Sequence, residues 1–155
     1  RYGGHKSAAG LSIKDENFEE VKKRIENEIK TRLKDLDLYP SLTLDCEINL
    51  SDIDWDLLDY LEKFEPFGME NSRPKFLIKN CKVNDIGFMG KEENHLRLQV
   101  EQLGVIKKIV GFSMARNFVD IKNNDIIDMV VELGINEWNG NRGLEIYLLD
   151  FKKCE

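Results

Sequence analysis

The residues best equipped for chemistry stand at the start of the chain, in Gly3-Gly4-His5-Lys6-Ser7-Ala8-Ala9-Gly10. Three glycines and two alanines leave little side-chain bulk, while His5, Lys6 and Ser7 bring hydrogen-bond donors into the gap. Glycine lets a ligand approach the backbone closely. Successive bare N–H groups beside a cation and an imidazole suit a phosphate or a carboxylate. Arg1 and Lys6 add positive charge, and residues 1–13 contain no acid. The anion-binding set read from this stretch is Arg1, Gly3, Gly4, His5, Lys6 and Gly10. The plainer alternative is a tight glycine-rich turn between strands.

A second set could bind a polyanion. Arg73, Lys75, Lys79 and Lys82 form a run without acids over residues 71–82, and Arg97, Lys107, Lys108, Arg116 and Arg142 could extend it. Phe88, Trp138 and Tyr147 are candidates for stacking on bases, the way aromatic side chains hold single strands. Barrel core for the aromatics and solvated surface for the lysines is the competing account. Adjacent strand residues point to opposite faces, so at most one of Lys107 and Lys108 can face a given groove.

Metal chemistry finds little support. The only histidines are His5 and His95, the cysteines Cys46, Cys81 and Cys154 are far apart, and no Cys-x-x-Cys occurs. Asp52, Asp54 and Asp56 cluster at a helix start, where carboxylates are favoured by the helix dipole. No metal ligand is assigned. Reduced, cytosolic thiols are the simplest reading. No apolar run approaches the ~20 residues of a membrane span. The net charge of −6 is uneven, with +2 over residues 1–13, −9 over 14–70 and +1 over 71–155. Both ends can therefore face a polyanion despite the total.

These groups must be positioned by recognisable elements. A short strand is expected over Leu11–Ile13. Asn17 and Glu20 suggest a capping box, followed by a helix with Phe18, Val21, Ile25, Ile29, Leu33 and Leu36 on one face and a stop at Tyr39-Pro40. Leu42, Leu44, Cys46 and Ile48 alternate as a strand. Ser51 or Asp52 then caps a second helix that Pro66 ends. After Pro74 come five segments rich in β-branched and aromatic residues: 76–83, 96–103, 105–112, 126–135 and 144–151. Gly87 and Gly90 separate the first two, Gly104 turns the second into the third, and Asn139-Gly140 makes the last hairpin. A short helix or turn fits Met114–Val119. Five strands with a helical insert after the third is an OB-barrel layout.

The Gly-Gly-His-x-x-Ala-Ala-Gly string followed by Leu11 resembles the signature of the DHH-associated domain, the substrate-binding half of DHH-superfamily phosphoesterases. Pro66-Phe67-Gly68, Asn71, Pro74 and Phe76 resemble the connector of one branch, the RecJ single-stranded-DNA exonucleases, although this chain reads Glu70-Asn71-Ser72 where that branch often has Gly-Asn-Pro. Gly134-Ile135-Asn136-Glu137-Trp138-Asn139-Gly140 resembles the last hairpin of that branch's OB domain. The resemblance implies an α+β chain: residues 1–50 the end of an α/β DHH-associated domain, 51–73 a linking helix and connector, and 74–155 a five-stranded antiparallel OB-fold barrel. It implies that His5 contacts a phosphate oxygen near the scissile bond, with Gly3 and Gly4 offering N–H groups; on the barrel, Arg73, Lys75, Arg97, Lys107, Lys108, Arg116, Trp138 and Arg142 are the DNA-binding candidates, with only one of the two adjacent lysines able to face the groove.

On this resemblance the chain is a C-terminal fragment of a cytoplasmic enzyme of DNA repair and recombination that hydrolyses single-stranded DNA from the five-prime end. Mn²⁺ or Mg²⁺ would sit in a catalytic domain upstream of Arg1, and this chain alone would be inactive. Single-stranded DNA, that domain, and a single-stranded-DNA-binding protein or a helicase are the implied partners, with no membrane. Two rivals stand beside it: an OB module that binds protein, and a DHH phosphodiesterase acting on small nucleotides.

Overall fold

The computed structural model describes residues 1–34, 40–138 and 140–154, with the side chain of Trp138 left undescribed. Leu36 and Tyr39 of the expected first helix and its stop, and Asn139 of the expected hairpin turn, lie outside the described residues. The chain divides into two compact units, Arg1–Leu42 and Thr43–Glu155.

In the first unit the glycine motif is not a loop. It forms an antiparallel hairpin of β1 (Tyr2–His5) and β2 (Ala8–Leu11), with Gly3 opposite Gly10, Gly4 opposite Ala9 and His5 opposite Ala8. Only Lys6 and Ser7 lie between the strands, so the strand expected over Leu11–Ile13 ends at Leu11. Helix α1 (Phe18–Arg32) follows, and Asn17 makes no side-chain cap. Glu28 and Arg32 pair at 2.7 Å, one turn apart on the solvated face, the spacing at which helix side chains meet. The apolar face carries Phe18, Val21 and Ile25 beside Leu11 and Ile13 around a shallow groove. Among the described residues this unit buries no side chain fully. Its helix is amphipathic without a core.

The second unit is a closed barrel. Strands β4 (Phe76–Met89), β5 (His95–Gln102), β6 (Val105–Gly111), β7 (Ile126–Trp138) and β8 (Asn141–Lys153) follow the five β-rich segments, each extended or trimmed at its ends. They pair in the ring β4–β5–β6–β8–β7–β4. Four of these pairings are antiparallel, and β6 runs parallel to β8 through Val110 and Tyr147. The expected wholly antiparallel barrel is thereby corrected. The reason is parity: directions cannot alternate around a ring of five, so at least one neighbouring pair must run the same way.

Alternation fills the interior. Ile78, Val83, Leu96, Leu98, Val100, Ile109, Ile127, Met129, Val131, Leu133, Ile146 and Leu148 all turn inward and are almost fully buried. Each such side chain contributes about 1.5–3 kcal/mol relative to exposure. Met114, Phe118 and Ile121 join this core from the segment between β6 and β7, where one 3-10 turn spans Ala115–Phe118 and the Phe118 ring packs 4.3 Å from that of Phe151. Positive φ at both Leu103 and Gly104 (51° and 80°) closes the β5–β6 hairpin, as a two-residue primed turn requires.

Residues 43–73 fold against this barrel. Of the alternating segment 42–48 only β3 (Cys46–Glu47) is a strand, pairing parallel with Phe76 and Leu77 at the edge of β4. Asn49 and Asp52 cap each other's backbone around a 3-10 turn. The cap of α2 (Trp55–Glu62) is Asp54, which accepts the Leu57 N–H at 2.8 Å, not Ser51 or Asp52. Leu50, Ile53, Leu58 and Leu61 from this segment enter the barrel core. Gln102 fastens it, accepting the Leu50 N–H at 2.7 Å and donating to the Lys79 carbonyl at 2.7 Å.

Candidate nucleic-acid interface

On the β1–β2 hairpin the strand pleat sorts the motif into two faces. Gly3, Gly10, His5 and Ala8 share one face, because directly paired residues point the same way. Cβ positions built at Gly3 and Gly10 meet nothing within 4 Å, so His5 stands beside a bare backbone floor. Gly4 is on the other face for a different reason. A Cβ there would lie 2.6 Å from that of Ala9, so the two strands touch backbone to side chain. The Ser7 N–H donates to His5 Nδ1 at 3.2 Å, which leaves Nε2 to carry the proton of the neutral ring. Arg1, Lys6 and His5 are all exposed. The hairpin thus presents an imidazole N–H donor over an open glycine strip, with Lys6 in the turn.

On the barrel the basic residues divide by their partners. Arg73 pairs with Glu65 at 3.2 Å and lies over the Phe67 ring at 4.5 Å. Lys75 pairs with Glu132 at 3.7 Å, and Lys79 with Glu47 at 2.6 Å. The Glu47 carboxylate raises the Lys79 ammonium above its ordinary value. Three members of the run 73–82 are therefore tied to acids supplied by other segments. Lys107 points to the interior side of β6, where its Nζ donates to the Ile53 carbonyl at 2.9 Å. Lys108 points outward.

Arg97 and Lys108 meet on the outer wall, together with Asp85 and Gln99, and line one shallow depression. Among the described residues neither pairs with a carboxylate, nor do Arg116 and Arg142. Arg116 lies apart, beside Glu92 and Glu93, and Arg142 sits opposite Glu137 on the β7–β8 hairpin.

The aromatics also separate. Phe88 sits at a barrel rim, 51% exposed. Tyr147 faces outward on β8, and its ring covers Gly134 so closely that a Cβ there would lie 2.7 Å from Cε2. Burial, and then the Glu145 carboxylate, push the Tyr147 phenol above its ordinary value. Phe112 was not among the sequence candidates, yet its ring centroid lies 5.9 Å from Tyr147 and 5.3 Å from His95. Its signal was period two, since Val110 and Phe112 fall on the same outward side. His95 Nδ1 accepts the Ser113 N–H at 3.0 Å, which fixes the ring.

No group of three or more His, Cys, Asp or Glu side chains converges among the described residues. Asp52 and Asp54 are already bound to backbone N–H groups of Asn49 and Leu57. The described side chains thus do not fit a Mn²⁺ or Mg²⁺ site. Among the described residues no helix is long and apolar enough to cross a membrane.

Known proteins share this architecture. The chain is 26% identical over 149 residues to the single-stranded-DNA-specific exonuclease RecJ of Bacillus subtilis, covering 96% of this chain and 19% of that protein. It is 27% identical over 154 residues to the RecJ of Haemophilus influenzae, covering 97% of this chain and 26% of that protein. The crystal structure of RecJ in complex with Mg²⁺ from Thermus thermophilus has the same fold, with a TM-score of 0.72 at 24% identity, over 100% of this chain and 23% of that one. The chain spans about a fifth to a quarter of the length of these curated relatives. Residues 44–150 match the RecJ OB domain, and the chain belongs to that family.

Proposed function

We propose that this chain is the C-terminal part of a RecJ-like exonuclease, in which the barrel holds single-stranded DNA and the β1–β2 hairpin contacts the phosphate at which the strand is cut. The carrying observation is the pair of cations Arg97 and Lys108 on the outer wall, which share their depression with Asp85 but form no ion pair among the described residues, in a domain of the RecJ OB family. Cations free of carboxylates can displace counterions from a phosphate backbone. Arg73, Lys75 and Lys79 would have to break ion pairs first, so they contribute less.

The first unit fits the end of a DHH-associated domain. Its helix shows an apolar face with no core of its own, the state expected of a domain whose remaining layers lie elsewhere in the protein. Here the His5 Nε2–H is the donor offered to a phosphate oxygen, and the Gly3–Gly10 strip lets that phosphate approach. Lys6 and Arg1 add field. Divalent metal, Mn²⁺ or Mg²⁺, would act in the upstream catalytic domain, where it supplies the activated water for phosphodiester hydrolysis. This chain's own residues bind and position. The isolated chain should therefore bind single-stranded DNA without cutting it. A cytoplasmic location and a protein partner, such as a helicase or a single-stranded-DNA-binding protein, accompany this reading.

The test is His5→Ala in the full-length enzyme, with kcat and DNA Kd measured side by side. One preorganised donor aimed at developing charge is worth about 10²–10³ in rate. The affinity, spread over many phosphates, should change little. A folded variant with kcat lowered less than about threefold would show that His5 is structural. A barrel that binds protein and not DNA is the main competing reading. Steep loss of DNA binding with salt separates the two.

A further inference from the structure

Strand register places one row of residues straight across the outer wall. Gly87 on β4 faces Arg97 on β5, Arg97 faces Val110 on β6, Val110 faces Tyr147 on β8, and Tyr147 faces Glu132 on β7. Two glycines serve this wall as beds for planar groups. Arg97 lies over Gly87, where an added Cβ would meet its guanidinium at 3.4 Å, and the Tyr147 ring lies over Gly134, where an added Cβ would meet it at 2.7 Å. Phe112 fills the space beside Tyr147, with His95 at its edge. None of these rings fills the barrel core, which is complete on the other side of the sheet. Phe112 leaves 56% of itself in water.

We propose that Phe112 and Tyr147 are a stacking platform for consecutive unpaired bases of a single strand laid across β5, β6 and β8, and that Gly134 sets its height. The proposal rests on the single-strand-binding reading above and names the residues that read bases rather than phosphates. Neighbouring strands are ~4.8 Å apart, so the backbones of Arg97 and Tyr147, with β6 between them, stand ~10 Å apart, and the Arg97 guanidinium reaches one strand farther, over Gly87 on β4. The Arg97 guanidinium offers one flat surface and Tyr147 with Phe112 another, with Lys108 one register step away for the backbone. Arginine planes and aromatic faces both stack on bases. A duplex hides its base faces within its own stack, so the platform selects single strands. The His95 ring, fixed through Nδ1 by the Ser113 N–H, stands edge-on to Phe112 on the same surface.

The experiment measures binding of a fluorescent oligothymidine by the purified 155-residue chain, by anisotropy across a salt series, for wild type and for Phe112→Leu, Tyr147→Leu, Gly134→Ala and Lys108→Glu. Thermal melting checks that each variant is folded. Loss of one base stack should weaken binding about five- to hundred-fold with an unchanged salt slope. Gly134→Ala should weaken it too, although no ligand touches that residue. Lys108→Glu should weaken binding and flatten the slope. If folded Phe112→Leu and Tyr147→Leu bind within twofold of wild type while Lys108→Glu fails, the platform is wrong and the single-strand reading stands. If wild type itself does not bind, both are overturned. Should Tyr147→Leu not fold, Phe112→Leu decides alone, because that ring is mostly exposed.

Discussion

Lys107 and Lys108 are adjacent on β6 and should fail in opposite ways. The Lys107 ammonium donates to the Ile53 carbonyl at 2.9 Å, tying to β6 the segment that contributes Leu50, Ile53 and Leu58 to the barrel core. Lys107→Met keeps the alkyl stem and removes the donor. A partly buried carbonyl then loses its partner, which costs about 1–3 kcal/mol. In a folded unit of this size that lowers the melting temperature by several degrees, at roughly 3–6 °C per kcal/mol. The salt slope of DNA binding should not move, because the ammonium faces away from the outer wall. Lys108→Ala should leave stability within about 0.5 kcal/mol, as surface substitutions do, and lower the magnitude of the salt slope by about one phosphate contact. Urea unfolding and a salt titration on both variants measure these four quantities. If Lys107→Met leaves stability unchanged and flattens the slope, the assignment of the two lysines to opposite faces of the barrel is wrong.

Two further outcomes follow from the packing. Gly4→Ala should disorder the β1–β2 hairpin, since its methyl would stand 2.6 Å from Ala9 Cβ, whereas Gly3→Ala meets open space; amide hydrogen exchange over residues 2–11 distinguishes the two. Burial pushes the Cys81 thiol up to about 12, so it should resist a thiol reagent at pH 8 until denaturant is added. The folded value lies above the ordinary thiol value of 9.0. The stability linked to Cys81 is therefore fully present below pH 9 and drains away between pH 9 and about 12, which unfolding midpoints across that range will show.

Much of this molecule was legible in local order. Runs of β-branched and aromatic residues between glycine turns located all five barrel strands, whereas the period-two alternation over 42–48 yielded only the short strand Cys46–Glu47. The alternation of faces along a strand foresaw that Lys107 and Lys108 cannot share one. The strings at Pro66-Phe67-Gly68 and Gly134–Gly140 resembled the family whose OB domain residues 44–150 match. Even the parallel pair was implicit in the count of five. What local order could not supply was partnership across distance. The run Arg73, Lys75 and Lys79 read as free charge because its acids, Glu65, Glu132 and Glu47, arrive from elsewhere in the chain. The Asp54 cap displaced Ser51 and Asp52 because Asp52 was already engaged by Asn49. Phe112 became a candidate only when closure of the barrel set β8 beside β6 and brought Tyr147 to it, with Gly134 beneath Tyr147. Alternation is a property of one strand, whereas neutralisation and stacking belong to pairs that only the closed sheet brings together.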